Sequence, residues 1–206
     1  MTAEVRHSVA IAERDIVLSE IKRTEPTARS FNQYCRMFGY TRENLKNKVI
    51  LDIGSGFSYF AQEARAFGAR VVKLDRNYSI LAPEEKEEKR DAVTAAAQYL
   101  PFKDNIFDET ISSYCLYHIE TGINKTIQEM IRVTKPNGKI KIHPVYGIGL
   151  TYFLNNEPTL FLGEKEGANT LVICKEPSYS DDRWGALVDK ITSSLSFSEI
   201  INRKVC

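Results

Sequence analysis

Residues 49–58 read Val-Ile-Leu-Asp-Ile-Gly-Ser-Gly-Phe-Ser, and this stretch decides the fold. Its apolar, β-branched beginning predicts a buried strand. Gly54 and Gly56 allow a sharp bend that brings peptide N–H groups close to a ligand. Apolar residues at helical spacing follow over residues 60–67. The stretch therefore predicts a strand, a ligand-binding turn and a helix, with Ser58 capping the first turn of that helix.

A second strand is predicted over residues 70–75 and ends in an acidic residue, Asp75. Asp75 follows Gly54 at close to the spacing of about 20 residues at which a carboxylate reaches a ribose hydroxyl in doubly wound sheets. Tyr59 replaces the third glycine of the dinucleotide fingerprint, and no Walker lysine follows the turn, so NAD and P-loop phosphate binding are disfavoured. S-adenosylmethionine fits better, because it has a ribose for Asp75 and a carboxylate for the helix N-terminus, without a pyrophosphate.

These residues resemble the first motif of the class I S-adenosylmethionine-dependent methyltransferases, an apolar strand followed by Asp/Glu-x-Gly-x-Gly-x-Gly. Asp52, Gly54 and Gly56 match the motif, and Ser58 replaces its third glycine. Two more segments resemble the same family in the expected order. They read Leu-Pro-Phe-Lys-Asp-Asn-Ile-Phe-Asp at residues 100–108 and Glu-Met-Ile-Arg-Val-Thr-Lys-Pro-Asn-Gly-Lys at residues 129–139. Three ordered motifs are far more specific than one glycine pair.

The resemblance covers roughly residues 51–142 and implies an α/β, Rossmann-like, doubly wound fold. Its sheet is mostly parallel and seven-stranded, with a C-terminal antiparallel hairpin and an N-terminal helical cap. We expect residues 1–46 to form the cap and residues 47–206 the cofactor-binding part of one domain. Residues 139–143 alternate polar and apolar side chains, which is unusual for a parallel strand buried on both faces and predicts that one face is uncovered or covered late. A last helix is expected from about Asp182.

The resemblance and the turn together define a predicted site for S-adenosyl-L-methionine. Its residues are Asp52, Gly54, Ser55, Gly56, Asp75, Ala97, Gln98 and Tyr114. The resemblance implies that Asp52 organises the turn and reaches the methionine amino group through backbone or water. Ala96 and Ala97 stand where the family usually has an acidic residue that accepts from the adenine amino group. Gln98 or Asp104 are the alternatives for that role.

Methyl transfer needs an in-line approach of the reactants more than a nucleophilic residue, because the sulfonium methyl is already electrophilic. A general base is needed only when the acceptor arrives protonated. His118, Tyr117 and His143 follow or end strands at the sheet edge where ligands bind in open α/β folds, and they are the candidate catalytic residues. For each histidine the alternative is a structural hydrogen bond at the strand end.

Aromatic residues of the N-terminal helix and of the segment after the fifth strand are the candidate substrate contacts. They are Phe31, Tyr34 and Tyr146, and ordinary core packing is the alternative role of Phe31 and Tyr34. Tyr34 is the best candidate of the N-terminal helix, because a buried phenol needs a polar partner. Trp184, expected to be exposed on the last helix, is the residue through which a homodimer could form.

Composition limits the class of protein. The 206 residues carry a net charge of +1 with acidic and basic residues interspersed, which disfavours a nucleic acid partner. The four cysteines lack a Cys-x-x-Cys pair, and we expect reduced thiols and no metal site. The longest apolar stretch, residues 145–154, is too short and too rich in glycine to span a bilayer. We expect a cytoplasmic protein without a membrane partner.

The predicted function is methyl transfer from S-adenosylmethionine to oxygen, nitrogen or carbon of a small molecule. One alternative is a non-catalytic subunit of the same fold that binds the cofactor or regulates a partner, which Ala96 and the small number of acid and base groups motivate. Another is a non-methyl use of the cofactor, through transfer of its aminopropyl or carboxypropyl arm or through a cyclisation.

Overall fold

The computed structural model describes most of the chain from residue 29 to residue 194. The described ranges are residues 29–56, 58–77, 91–119, 121–145, 157, 159–165 and 168–194. The candidate substrate residue Tyr146 and residues 1–28 of the predicted cap lie outside the described residues.

The described chain contains seven strands and five helices. The strands are β1 (Val49–Ile53), β2 (Arg70–Asp75), β3 (Ala92–Thr94), β4 (Phe107–Ser113), β5 (Thr134–Val145), β6 (Leu160–Lys165) and β7 (Ala168–Cys174). The helices are α1 (Phe31–Phe38), α2 (Arg42–Leu45), α3 (Phe60–Arg65), α4 (Ile123–Val133) and α5 (Asp181–Ser194), with a 3-10 turn over Cys115–His118.

The seven strands form one sheet in the order β3-β2-β1-β4-β5-β7-β6. Strands β1 to β5 are mutually parallel, and β7 runs antiparallel to both β5 and β6. This arrangement confirms the predicted doubly wound α/β fold with its C-terminal antiparallel hairpin. The chain leaves β1 toward β2 on one side and later returns to β4 on the other, so the strand order reverses between β1 and β4. Ligands of open α/β sheets bind at such a switch point, beyond the carboxyl ends of the strands.

The helix α3 begins differently from the prediction. Its N-cap is Tyr59, which makes no capping hydrogen bond from its side chain. The hydroxyl of Ser58 instead donates to Oδ2 of Asp52 at 3.3 Å, so the expectation that Ser58 caps the helix was wrong. A buried carboxylate in the preceding strand competes for the serine hydroxyl, and a sequence pattern does not show this competitor.

The N-terminal helix α1 covers the face of β5 that was predicted to be uncovered or covered late. Lys141 is 7% exposed and His143 is 2% exposed, so the polar residues of the alternating stretch are buried. Nζ of Lys141 donates to the carbonyl of Phe38 at the end of α1 at 3.1 Å. The alternating pattern therefore marks a strand whose second face is covered by the N-terminal helix, with polar contacts to its last turn.

The segment 100–108 is fastened to α4 by two charged side chains of that helix. The Glu129 carboxylate accepts from the Leu100 backbone N–H at 2.9 Å. The Arg132 guanidinium donates to the carbonyls of Leu100 at 3.0 Å and Phe102 at 2.8 Å. Arg132 also pairs with Glu129 at 2.8 Å. These charge-assisted bonds hold the two segments that resemble the family against each other.

The last helix, α5, packs its apolar side onto the sheet domain. Trp184, Leu187, Val188 and Ile191 are buried in the same core cluster as Met130 of α4. Trp184 is only 7% exposed, so the expectation of an exposed tryptophan was wrong. The helical period predicted the buried stripe, and Trp184 belongs to it. In the described part of the chain, none of the helices combines the length and the apolar character needed to cross a bilayer.

A bulge at the start of β5 places Gly138 in a tight backbone environment. The register between β4 and β5 shifts after the pair Phe107 and Thr134 and resumes at Glu109 and Lys139. Within the bulge, a Cβ on Gly138 would lie 2.7 Å from the carbonyl oxygen of Asp108. Backbone oxygens held in a sheet cannot move away as a flexible side chain can, so only glycine fits there.

Replacing Gly138 with alanine is expected to lower the free energy of unfolding by about 1–3 kcal/mol, because the added methyl overpacks the bulge. Gly185→Ala is the matched control, because a Cβ at Gly185 would meet nothing within 4 Å. In α5 that change is expected to stabilise by roughly 0.5–1 kcal/mol. Urea unfolding of the two variants and the parent measures both effects. Equal effects of the two substitutions would contradict this account of the bulge.

Candidate functional site

The glycine turn after β1 is held against the end of β2 by its own amides. The N–H groups of Gly54 and Ser55 donate to the carbonyl of Leu74 at 2.7 Å and 3.2 Å. The N–H of Gly56 donates to Oδ2 of Asp75 at 3.1 Å. The structure therefore brings together the predicted residues of the turn and the carboxylate that ends the neighbouring strand.

Gly54 is required by both its conformation and its neighbour. Its φ of +66° lies in the left-handed region, which side chains disfavour. A Cβ at this position would lie 2.3 Å from Cβ and 2.4 Å from Sγ of Cys115. Burial raises the pKa of the Cys115 thiol to about 12, so the group is a neutral packing partner. The turn thus packs directly on the segment that follows β4.

Asp52 is a fully buried carboxylate at the end of β1. Its Oδ2 accepts hydrogen bonds from the Tyr34 hydroxyl at 2.8 Å and from Ser58. Its Oδ1 is buried without a hydrogen-bond partner in the described part of the chain. Burial raises the pKa of Asp52 to about 6, although the Tyr34 hydrogen bond and the charge of Arg29 act in the opposite direction. The site therefore contains a carboxylate that can gain a donor or a positive partner.

Arg29, just before α1, reaches the carboxyl end of β4, and its charge acts on Asp52. Its Nη2 donates to the carbonyl of Ser113 at the end of β4 at 3.0 Å. Its guanidinium lies 5.3 Å from the centre of the Tyr114 ring. Its Nε is buried without a partner among the described residues. Sequence reasoning missed Arg29, because a single cation ahead of a helix belongs to no motif and its position depends on how α1 docks.

Arg29 and Asp52 each have one buried side-chain atom without a hydrogen-bond partner among the described residues. The two atoms are Nε of Arg29, a cationic donor, and Oδ1 of Asp52, an anionic acceptor. Unsatisfied buried polar groups are rare and costly, so this pair calls for a ligand. An α-amino acid, with its carboxylate and its ammonium group, has the complementary charges.

His143 is buried at the end of β5 and lies beside Tyr114. Nδ1 of His143 is 2.9 Å from Oγ1 of Thr170. The Tyr114 ring meets the imidazole edge to face at 5.7 Å, and its backbone N–H donates to the His143 carbonyl at 2.7 Å. Tyr114 is 42% exposed and has a φ of +61°, an uncommon conformation for a tyrosine that often occurs at functional sites. Tyr114 therefore lies between Arg29 and the buried histidine.

The other candidate catalytic residues lie on the 3-10 turn after β4. The Tyr117 hydroxyl donates to the carbonyl of Pro144, which ties this turn to the end of β5. His118 is exposed at the end of the same turn. The structure therefore places Tyr117 against the β5 end and His118 on the surface of the same sheet edge.

The candidate substrate residues of α1 pack within the core. Tyr34 is fully buried and stacks on Phe60 with ring centres 4.6 Å apart. Phe31 stacks on the same ring at 5.9 Å. Tyr34 does find the polar partner that a buried phenol needs, and this partner is Asp52. Burial and the neighbouring Asp52 raise the pKa of Tyr34 well above its usual value, so the phenol is a neutral donor.

Ala97 and Gln98 follow β3 at the same edge of the sheet. Ala97 is buried. Nε2 of Gln98 donates to the Thr121 carbonyl at 3.1 Å, just before α4. In this structure the Gln98 amide thus joins the segment after β3 to the start of α4.

Comparison with known proteins agrees with this geometry. Residues 51–142 match a family model described as a methyltransferase domain. This range begins in β1, contains the glycine turn and ends in β5. Residues 51–142 are a class I S-adenosylmethionine-dependent methyltransferase domain. Its cofactor is S-adenosylmethionine.

Two curated relatives extend the likeness beyond the family model. A malonyl-[acyl-carrier protein] O-methyltransferase of Buchnera aphidicola is 30% identical over 160 residues, covering 77% of this chain and 64% of the relative. A demethylmenaquinone methyltransferase of Renibacterium salmoninarum is 32% identical over 103 residues, covering 48% of this chain and 43% of the relative. The chain spans less than two thirds of the length of these curated relatives.

Two solved structures share the fold of the methyltransferase domain. One is of a protein from Methanococcus maripaludis assigned to the S-adenosyl-L-methionine-dependent methyltransferases, with a TM-score of 0.52, 16% identity, and coverage of 79% of this chain and 92% of that chain. The other is of a SAM-dependent methyltransferase from Aquifex aeolicus, with a TM-score of 0.50 and 17% identity. The match covers 76% of this chain and 96% of that chain. Both likenesses concern the fold.

The raised pKa of Asp52 predicts how stability depends on pH. Because the pKa rises from 3.8 to about 6 on folding, the folded state binds the proton more tightly, and this contribution to stability is lost as the pH rises through about 6. Relative to Asp52→Asn, the unfolding free energy of the parent chain is expected to fall by roughly 2 kcal/mol between about pH 4 and pH 7.

Urea unfolding of both proteins at several pH values measures this difference. The asparagine keeps an acceptor for Tyr34 and carries no charge, so the difference isolates the titration of Asp52 from that of the other acids. A parallel pH dependence of the two proteins would show that the Asp52 carboxylate titrates normally.

Proposed function

We propose that this chain transfers a methyl group from S-adenosylmethionine to oxygen, nitrogen or carbon of a small molecule. The observation that carries the proposal is the pair of unpaired, oppositely charged buried atoms of Arg29 and Asp52 beside the glycine turn. The names of the two curated relatives support a methyl acceptor that is a small molecule or is attached to a carrier protein.

We assign the cofactor contacts to four groups at the carboxyl ends of β1, β2 and β4. Arg29 is proposed to bind the methionine carboxylate, in place of the helix N-terminus expected from the sequence, and Asp52 the amino group. The glycine turn brings its backbone close to the ligand. Asp75 is proposed to accept from the ribose. Its oxygens accept from Gly56 and Asn77 N–H groups in this structure, and a carboxylate has about four acceptor positions, so further bonds can be added.

Bound S-adenosylmethionine supplies an electrophilic methyl group on a sulfonium. The chain then has to hold the acceptor in line with it and to accept a proton where the acceptor is protonated. His143 is the proposed proton acceptor, because it is held beside Tyr114 at the end of β5. Tyr117 and His118 remain candidates on the turn after β4, and Phe31, Tyr34 and Tyr146 remain candidates for the acceptor side.

Several expectations from the sequence stand as part of this proposal. They are the division into a cap over residues 1–46 and a cofactor-binding part over residues 47–206, and a cytoplasmic location. A homodimer is also kept, but not through Trp184, which is buried. We also propose that the methyl acceptor is not a nucleic acid. The packing of α1 on the core cluster that contains Phe60 and Ile50 supports a cap that belongs to the same domain.

The cofactor assignment is tested by calorimetric titration with S-adenosylmethionine. Arg29→Gln is expected to weaken binding by roughly 10- to 100-fold, since a hydrogen bond to a charged group contributes about 1.5–3 kcal/mol. Decarboxylated S-adenosylmethionine, which lacks the carboxylate, should bind the parent and Arg29→Gln equally well. Arg183→Gln is the matched control, because Arg183 lies on α5 and contacts Tyr179. An equal loss for both ligands would place the carboxylate elsewhere.

The reaction is tested by offering S-adenosylmethionine with malonyl-acyl carrier protein or demethylmenaquinone, the molecules in the names of the curated relatives. Mass spectrometry is expected to show an acceptor that has gained one methyl group, with an equal amount of S-adenosylhomocysteine. Formation of methylthioadenosine would instead indicate transfer of the amino-carboxypropyl arm, whereas transfer of an aminopropyl group would require the decarboxylated cofactor. Tight cofactor binding without turnover of any acceptor would favour the regulatory subunit.

A further inference from the structure

Thr170 connects the candidate proton acceptor to the N-terminal helix. It lies on β7, which pairs antiparallel with β5 next to His143. Its Oγ1 is 2.9 Å from Nδ1 of His143 and 2.8 Å from the carbonyl oxygen of Met37 in α1. All three residues are buried, so the contacts form in a region of low dielectric.

The hydroxyl proton of Thr170 can be assigned from these two contacts. A threonine hydroxyl has one proton to donate and two lone pairs to accept with. The Met37 carbonyl can only accept, so the Thr170 proton points to Met37. The lone pair of the same oxygen then faces Nδ1 of His143, and the hydrogen bond between them forms only if Nδ1 carries a proton.

We infer that Thr170 is a positioning residue that holds neutral His143 in its Nδ1-protonated tautomer, which makes Nε2 the proton-accepting atom of the ring. A neutral imidazole has one protonated and one basic nitrogen, and the partner of one nitrogen fixes the state of the other. Met37 completes the arrangement, because its carbonyl keeps the Thr170 hydroxyl from turning around to donate to His143.

The inference deepens the proposed function and rests on it in one respect, the use of His143 as a proton acceptor. A base needs the correct nitrogen deprotonated as well as a suitable position. In this fold the N-terminal helix and the C-terminal hairpin together select that nitrogen. Helix α1 therefore contacts two groups of the candidate site. Its Tyr34 bonds to Asp52, and its Met37 bonds to Thr170, which in turn contacts His143.

The tautomer is read directly by nuclear magnetic resonance of the full chain labelled with ¹⁵N-histidine. The chain has only three histidines. The signals that disappear in the His143→Gln variant are those of His143. The expected result for the parent is a protonated, pyrrole-type Nδ1 and an unprotonated, pyridine-type Nε2 at His143. Thr170→Ser keeps the hydroxyl and is expected to retain this pattern.

Thr170→Val removes the acceptor for the Nδ1 proton, and the pattern is expected to be lost in favour of the other tautomer or a mixture. Thr110→Val is the matched control, because Thr110 is an equally buried hydroxyl that contacts Thr134 and not a histidine. It should leave the His143 signals unchanged.

A parent spectrum with a protonated Nε2, or a Thr170→Val spectrum equal to that of the parent, would overturn the inference. If Thr170→Val does not fold, the parent and Thr170→Ser spectra still decide the tautomer. The measurement needs no cofactor or acceptor. A chain that shows the expected tautomer but does not bind S-adenosylmethionine would therefore refute the proposed function and leave the inference standing.

Discussion

The hydrogen bond from the Tyr34 hydroxyl to Asp52 is the interaction on which the candidate site depends. It is buried, it measures 2.8 Å, and it joins the N-terminal helix to the strand that carries the glycine turn. A hydrogen bond to a charged group contributes about 1.5–3 kcal/mol, and leaving a buried carboxylate without it costs at least as much. Helix α1 therefore docks where Asp52 requires it, and this docking also brings Arg29 to the end of β4.

A second set of polar contacts holds the segment just after α1 on the sheet. Nζ of Lys141 lies 2.7 Å from the Glu109 carboxylate, and the Tyr40 hydroxyl donates to the same carboxylate at 2.8 Å. Burial alone would raise the pKa of Glu109, but the ammonium groups of Lys141 and Lys48 outweigh it and lower that pKa. Buried ion pairs contribute little net stability, yet breaking one is costly, so they favour one docked position over others.

The sequence predicted the sheet well because its determinants are local. The apolar run and glycines of residues 49–58 and the helical stripe on α5 depend on neighbours in the chain. The errors concern side-chain contacts between different secondary-structure elements. Ser58 bonds to Asp52 and not to its own helix, and Trp184 is buried by α4. The alternation in β5 reflects polar partners on α1. Arg29 could not be found, because nothing local marks a cation whose partners lie 84 residues away at Ser113.

The near contact between Gly54 and Cys115 has a consequence for how the glycine turn can vary. The floor of the turn is the Cys115 side chain from the segment after β4, so the position of the turn depends on a neighbouring strand and not on a surface loop. A substitution at Gly54 or at Cys115 therefore affects the packing of both segments. A side chain at position 54 would collide with Cys115 and would also strain the left-handed backbone, so a larger residue at either position displaces the glycine turn itself.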